Sequence, residues 1–274
     1  MRTWTVGLIG IGNMGGSILR GMVEQGCVKA GQVFVYDADM QKLDKLSQEM
    51  PALNFCDHAL TLAEEADVIL LCVKPHILPE VAETIMPALN ESKSVISIAA
   101  GWTAPRLRAL FSESGAAVLR VMPNTPALVG EGMTALCEDT NFSEEALSFA
   151  RTIFESLGRT VTLPERMFDG VTAISGSSPA YVYTLIEAMA DAGVREGIPR
   201  QTAIEMAAQS VLGAALMVLS SGDHPAVLRD AVCSPGGTTI EAVAAMEESG
   251  FRHAVIRAME ACANKSREMA RERT

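Results

Sequence analysis

The stretch Thr5-Val6-Gly7-Leu8-Ile9-Gly10-Ile11-Gly12-Asn13-Met14-Gly15 decides the fold of the first half of this chain. Thr5 to Ile9 is a short apolar run that predicts a strand. Gly10, Gly12 and Gly15 follow in GxGxxG spacing, and Ile18, Leu19, Met22 and Val23 then recur at helical intervals up to Gly26, a C-terminal cap. Strand, glycine turn and helix in that order form the dinucleotide-binding fingerprint. Gly10 permits the tight turn, Gly12 lets a pyrophosphate approach the backbone, and Gly15 lets the helix lie close to the strand. Outside this context the spacing alone would carry little weight.

Reading outward, Gln32 to Tyr36 predicts a second strand ending at Asp37. An acid there accepts hydrogen bonds from the adenosine ribose of NAD and repels the 2′-phosphate of NADP, so Asp37 leans towards NADH. A turn aspartate before a helix at about Met40 to Met50 is the alternative, with Asp39 also available. Asp67 to Val73 is apolar almost throughout, as expected of a parallel strand covered on both faces, and it leads into Lys74 and Pro75. Ligands of open α/β sheets gather at strand C-termini, which sites Lys74 to face a cofactor; a solvated loop lysine is the other reading. Ser94 to Ala100 and Ala116 to Met122 complete the strands read here. Ala99-Ala100-Gly101 is small enough for a flat ligand to lie against. Pro123-Asn124-Thr125-Pro126 makes a stiff loop at another strand end. Strands alternating with helices predict an α/β class, a Rossmann-type doubly wound parallel sheet over residues 1–164.

Beyond Pro164 the pattern is helical, with no convincing strand. Ser178-Pro179 reads as an N-cap and first-turn proline. Helices are predicted at about Ala180 to Glu196 and Gln201 to Ser220, both apolar on nearly every face. Such helices must be buried, and about 110 residues offer too little core of their own. Residues 165–274 are therefore expected to be an all-α domain that dimerises by interleaving with its twin. Within it, Ser234-Pro235-Gly236-Gly237 separates a helix ending near Val232 from one starting at Thr238 or Thr239. Thr238 and Glu241 have the spacing of a capping box. Free N–H groups, a helix dipole and two hydroxyls suit a small carboxylate; a plain turn between helices is the competing reading.

Composition narrows the classes. The chain has 274 residues, 49% of them hydrophobic, and a formal net charge of −11. That composition excludes disorder, and the charge argues against nucleic acid as a partner. Cys27, Cys56, Cys72, Cys137, Cys233 and Cys262 show no metal-ligand spacing, and the four histidines are scattered, so no metal site is expected. The cysteines read as reduced thiols of a cytoplasmic protein, with no signal peptide visible. No apolar run reaches the ~18 residues of a membrane span.

A nucleotide-binding sheet followed by a helical domain suits hydride transfer. Oxidising a hydroxy acid requires a base, but the helical domain holds one lysine, Lys265, and two histidines, His224 and His253, none near the expected site. Reducing a protonated imine requires only positioning, so C=N reduction is favoured.

Val73-Lys74-Pro75, Pro123 to Leu128, Ser175 to Tyr181 and, above all, the Ala231 to Ala242 stretch (Ala-Val-Cys-Ser-Pro-Gly-Gly-Thr-Thr-Ile-Glu-Ala) resemble the pyrroline-5-carboxylate reductases almost end to end. The resemblance implies reduction of L-1-pyrroline-5-carboxylate to L-proline by NADPH or NADH, the last step of proline biosynthesis. It also implies a homodimer through the helical domain and, frequently, a higher assembly of dimers. It assigns Ile9, Gly10, Ile11, Gly12, Asn13, Met14, Val73, Lys74, Pro75, Ile98, Ala99 and Ala100 to the cofactor. It assigns Ser234, Gly237, Thr238, Thr239 and Glu165 to the substrate, with Thr239 as the hydroxyl on the ring nitrogen. Tyr36-Asp37-Ala38 departs from members that favour NADPH, and Ala59 stands where some have a cofactor-contacting asparagine.

Overall fold

The computed structural model describes residues 3–272; residues 1, 2, 273 and 274, which the two expected domain ranges include, lie outside it. The chain runs β1 (Val6–Ile9), α1 (Asn13–Glu24), β2 (Val33–Tyr36), α2 (Met40–Glu49), β3 (Asn54–Phe55), α3 (Ala59–Glu65), β4 (Val68–Leu71), α4 (Leu78–Ile85), β5 (Ser94–Ser97) and α5 (Ala104–Leu110). It continues through β6 (Ala117–Met122), β7 (Gly132–Cys137), α6 (Glu144–Glu155), β8 (Gly158–Leu163) and α7 (Phe168–Val171). Five helices follow: α8 (Ser178–Arg195), α9 (Arg200–Ser221), α10 (Pro225–Val232), α11 (Thr238–Glu248) and α12 (Phe251–Glu272). Two compact units result. One comprises the chain up to Gly176 together with the part from Cys262 onward; the other is Ser177–Ala261.

In the first unit all eight strands join one sheet in the order β3-β2-β1-β4-β5-β6-β7-β8. β1, β4 and β5 are buried at every position, because α1 and α6 cover one face while α3, α4 and α5 cover the other. That two-sided burial is why these segments read as continuous apolar runs. All neighbours are parallel except β6 and β7, which run antiparallel. The sheet is thus parallel-dominated, and three of its strands were not visible in the sequence. β3 is two residues long. β7 follows a glycine turn (Gly130, φ 75°) in place of a crossover helix. β8 is an edge strand in which threonines alternate with other residues, and none of its positions is fully buried.

Strand order reverses at β1, which lies between β2 and β4. The crevice at such a reversal, beyond the strand C-termini, is where doubly wound sheets take their ligands. Ile9, Tyr36, Leu71 and Ser97 end their strands along this edge.

The second unit is helical throughout. α8 and α9 form a hairpin closed by Gly197 (φ 89°), whose N–H donates to Val194 O while the Ile198 N–H donates to Gly193 O. Small residues let the two helices approach: a Cβ on Gly193 would lie 3.2 Å from that of Ala203. Only Ala190 of α8 and Ala203 and Ala207 of α9 are buried within the chain. Tyr183, Met189, Leu212, Leu216, Met217 and Leu219 are exposed. The expectation that these helices are buried is therefore not met within a single copy. α9 is also long and apolar enough, by length and composition, to cross a membrane. The expectation concerned unbroken apolar runs, and this helix qualifies by mean hydropathy instead. Its apolar residues are interrupted by Glu205, Gln209 and Ser210, so no unbroken run marks it.

Two helix starts differ from the sequence reading. α8 begins at Ser178 with Ser177 at the N-cap position, which puts Pro179 second in the helix rather than first. α11 has Gly237 as its N-cap, with no side-chain capping bond. Thr238 is then the first helical residue and Glu241 the fourth, so the two do not form a capping box, whose partners must be N-cap and N3.

Candidate functional site

The glycine loop meets the steric demands of a dinucleotide cradle at each of its three positions. Gly10 has φ 95°, and a Cβ there would lie 2.9 Å from the Cys72 carbonyl oxygen. Its N–H donates to Tyr36 O at 2.8 Å, which binds the turn to the end of β2. A Cβ on Gly15 would come within 1.9 Å of Gly10 O, so α1 can start against β1 only if this residue has no side chain. A Cβ on Gly12 would meet nothing within 4 Å. That face of the loop is open, with the helix N-terminus behind it, as an approaching pyrophosphate requires. The residues present therefore fit the group that the fingerprint implies.

Two clefts flank the loop. One, of about 470 Å³, is lined by Ile9, Gly10, Gly12, Asp37, Val73 and Lys74 among others. The other, of about 330 Å³, touches Ile11, Gly12 and Asn13. The remaining residues assigned to the cofactor have other surroundings. Met14 and Ile98 pack against the core beneath the loop, Pro75 O accepts the Trp102 indole N–H at 2.9 Å, and Ala99 is buried. Ile98, Ala99 and Ala100 follow directly after β5, on the same sheet edge, and line neither of these two clefts.

Asp37 is held tightly. Its Oδ2 accepts the Ile11 N–H at 2.8 Å, and its Oδ1 accepts the Asp39 N–H at 2.9 Å and faces Lys42 Nζ at 3.4 Å. Tyr36, Lys42, His58, Ile77 and Cys72 also line the larger cleft; sequence reasoning assigned none of them a role there. The helical repeat of α2 could have revealed Lys42, since it places that residue in the first turn after Asp37 and Asp39. Burial pushes the Cys72 thiol up to about 12, leaving it a protonated, unreactive wall at ordinary pH.

Beneath the sheet edge lies a buried ion pair. Arg120, 5% exposed in the middle of β6, donates to the Glu165 carboxylate and stacks 4.4 Å from the Phe168 ring centroid. Burial lowers the Arg120 pKa, and Glu165 opposes that shift. The other Glu165 oxygen accepts the Ala104 N–H at 3.1 Å and the Cys137 thiol at 3.5 Å. Burial chiefly, with Glu165 adding to it, pushes Cys137 up to about 12. Glu165 thus braces α5, β6 and β7. Its partner Arg120 had one signal in the sequence, a lone charge inside the apolar run Ala117-Val-Leu-Arg-Val-Met122.

In the helical unit, Cys233 to Gly237 make the turn before α11. Gly236 takes φ 65°, and the Gly237 N–H donates to Ser234 O at 3.0 Å. A Cβ on Gly237 would lie 2.5 Å from the Ser234 hydroxyl. The first-turn N–H groups of an α-helix lack intrahelical acceptors, so those of Thr238, Thr239 and Ile240 are available to an anion. Ser234 and Thr238 are exposed and Thr239 is half-buried within the chain. His224 caps α10 through its Nδ1, which accepts the Ala226 N–H at 3.2 Å.

Comparison with known proteins agrees with this geometry. Residues 165–269 match the family model for pyrroline-5-carboxylate reductase dimerisation, and residues 5–101 match that for NADP oxidoreductase, coenzyme F420-dependent. The chain is 45% identical over 267 residues to pyrroline-5-carboxylate reductase of Escherichia coli, covering 97% of this chain and 98% of that one. It is 38% identical to the Arabidopsis thaliana enzyme, covering 98% and 96%. Among solved structures, the Coxiella burnetii reductase superposes with a TM-score of 0.92 at 31% identity, covering 98% and 99%. The Plasmodium falciparum reductase, solved with NADP bound, gives 0.85 at 34%, also covering 98% and 99%. A Rossmann sheet with a glycine cradle, a dimerisation segment and relatives matched end to end lead to one assignment: the chain belongs to the pyrroline-5-carboxylate reductase family.

Proposed function

We propose that this chain reduces L-1-pyrroline-5-carboxylate to L-proline, using NADPH or NADH, as the last step of proline biosynthesis. One observation carries the reading. A chain 45% identical end to end to such a reductase also holds the two devices the reaction needs, an open glycine cradle and a glycine-softened helix start. When bound, a reduced nicotinamide would supply the hydride for the carbon of the C=N bond, whose π pair would pass to a nitrogen that keeps the proton it took from solvent.

The protein's own contribution is placement. Ile9 to Met14, Val73 to Pro75, Ile98 to Ala100 and Asp37 are proposed to hold the dinucleotide. Ser234, Gly237, Thr238 and Thr239 are proposed to hold the substrate, the N–H groups at the start of α11 taking its carboxylate. Thr239 is placed on the ring nitrogen, where its hydroxyl orients the imine. Glu165 keeps a lesser place in that set. A carboxylate offers about four lone-pair sites, and Arg120, Ala104 and Cys137 engage three of them.

We take residues 1–164 as the nucleotide domain and 165–274 as the dimerisation and substrate domain, a division supported by the family match that begins at 165. The exposed apolar faces of α8 and α9 support a homodimer through that domain, and assembly of dimers into a larger oligomer belongs to the same proposal. So do a cytoplasmic location and the lack of nucleic-acid or membrane partners.

The test is consumption of NADPH and NADH in the presence of L-1-pyrroline-5-carboxylate. Turnover is expected, and none with either coenzyme rejects the reading. Thr239→Val should raise KM and lower kcat while NADPH binding stays near normal; unchanged kinetics remove Thr239 from the site.

A further inference from the structure

An aspartate at the end of β2 is ordinarily read as a guard against NADPH, because a bare carboxylate repels the 2′-phosphate. Asp37 is not bare. Of its roughly four lone-pair sites, the N–H groups of Ile11 and Asp39 take two and the Lys42 ammonium faces a third. One site remains for a ribose hydroxyl. The shortest of the three contacts runs inward and ties the end of β2 to the glycine loop, so Asp37 also braces the cradle.

Lys42 stands between the two acids, 3.4 Å from Asp37 and 3.8 Å from Asp39. Its side chain is 46% exposed and, among the described residues, is held by these two contacts alone. It also lines both clefts beside the loop, the larger one that Asp37 borders and the smaller one. In the smaller cleft the neighbouring cations are already committed: Arg20 and Lys45 both pair with Glu49. In the larger cleft Lys74 and His58 border that cleft alone, so Lys42 is the basic side chain lining both clefts that can turn from a carboxylate to a phosphate.

We propose that Lys42 is the specificity-determining residue that admits the 2′-phosphate of NADPH beside Asp37, so that the chain accepts NADPH despite an acid at the end of β2. The proposal rests on the reading of the protein as an NAD(P)H-dependent reductase. Without Lys42, Asp37 and Asp39 would face the phosphate uncompensated, and a charge-assisted contact would be lost. Such a contact is worth tenfold or more in affinity, by order of magnitude. NADH carries no phosphate at this point and should hardly respond.

The experiment is titration of the intact protein with NADPH and with NADH, following dissociation constants by coenzyme fluorescence, for wild type, Lys42→Met and Lys42→Arg. Thermal melts verify that each variant is folded; the exposed position makes that expected. Lys42→Met should weaken NADPH roughly tenfold or more while NADH changes by no more than about twofold, and Lys42→Arg should retain NADPH affinity. Unchanged NADPH affinity in Lys42→Met, or equal losses for both coenzymes, would overturn the proposal while wild-type turnover leaves the functional reading standing. Binding of neither coenzyme to wild type would remove that reading and this proposal together. Asp37→Ser gives a second, independent readout. If Asp37 braces the loop, it should weaken both coenzymes; a gain in NADPH affinity with NADH reduced would mark it as a guard and overturn the argument.

Discussion

β4 and α9 are both stretches of apolar sequence, and the chain treats them in opposite ways. Val68, Ile69, Leu70 and Leu71 of β4 are at most 1% exposed, enclosed by helices on both faces of the sheet. In α9 only two alanines are buried, while Leu212 and Leu216, one turn apart on the same face, are 47% and 46% exposed. The sheet completes its core from its own sequence, whereas the helical unit leaves its apolar surface for another body to cover. An apolar face of that extent marks an interaction surface, and residues 165–269 match a dimerisation family model. By length and composition alone α9 would equally suit a bilayer, and its low burial within one copy fits either account; the family match is what favours a protein partner.

The largest effect that could break this contrast is expected in α9. In a two-fold interface each position occurs twice, so Leu212→Asp with Leu216→Asp withdraws four leucines, each about half exposed in a single copy, from contact, ~3–6 kcal/mol of apolar burial. The double variant should run as a monomer in sedimentation or gel filtration and lose activity. Retention of the wild-type size would show that these faces are not the ones covered.

The sheet unit should be sensitive to geometry instead. Gly15→Ala forces a Cβ to within 1.9 Å of Gly10 O, a backbone clash with no flexible side chain to yield, and should cost ~4 kcal/mol or more. Gly12→Ala, whose Cβ meets nothing, should leave the melting temperature unchanged and weaken coenzyme binding alone. Equal melts for the two variants would refute the distinction drawn between the glycines.

Next in size, Glu165→Ala leaves the Arg120 charge buried without its partner, which costs about 3–5 kcal/mol in buried pairs. A smaller loss in the denaturant midpoint would show that Arg120 finds another acceptor. Smallest is a pH effect. Cys137 is held protonated up to about 12, whereas an unfolded thiol ionises near 9. The folded state therefore retains a proton that the unfolded state gives up, and stability that is full below pH 9 falls as pH rises from 9 towards 12. Cys137→Ala should flatten that decline relative to wild type; parallel curves would count against it.

Much of this was legible in the residues. The five strands with mainly apolar runs declared themselves, and so did the glycine fingerprint, because burial in the sheet and a backbone clash each permit few residue types. β3, β7 and β8 did not, since a two-residue strand, a glycine-turn reversal and a threonine-rich edge leave no run to find. The capping box at Thr238 failed for a related reason. Spacing identifies residues that can pair, but the backbone placed Gly237 at the cap and shifted both partners by one.

The sequence by itself determined the class of fold, the cradle and the apolar character of the second half, because local sterics and hydrophobic pattern act between near neighbours. Tertiary structure alone decided what the charges do. Asp37 came to accept the Ile11 and Asp39 N–H groups, Arg120 and Glu165 met across 45 residues, and Lys42 came to stand between two clefts. A charge's energy depends on its distance to partners and its access to water, and only the folded chain sets those.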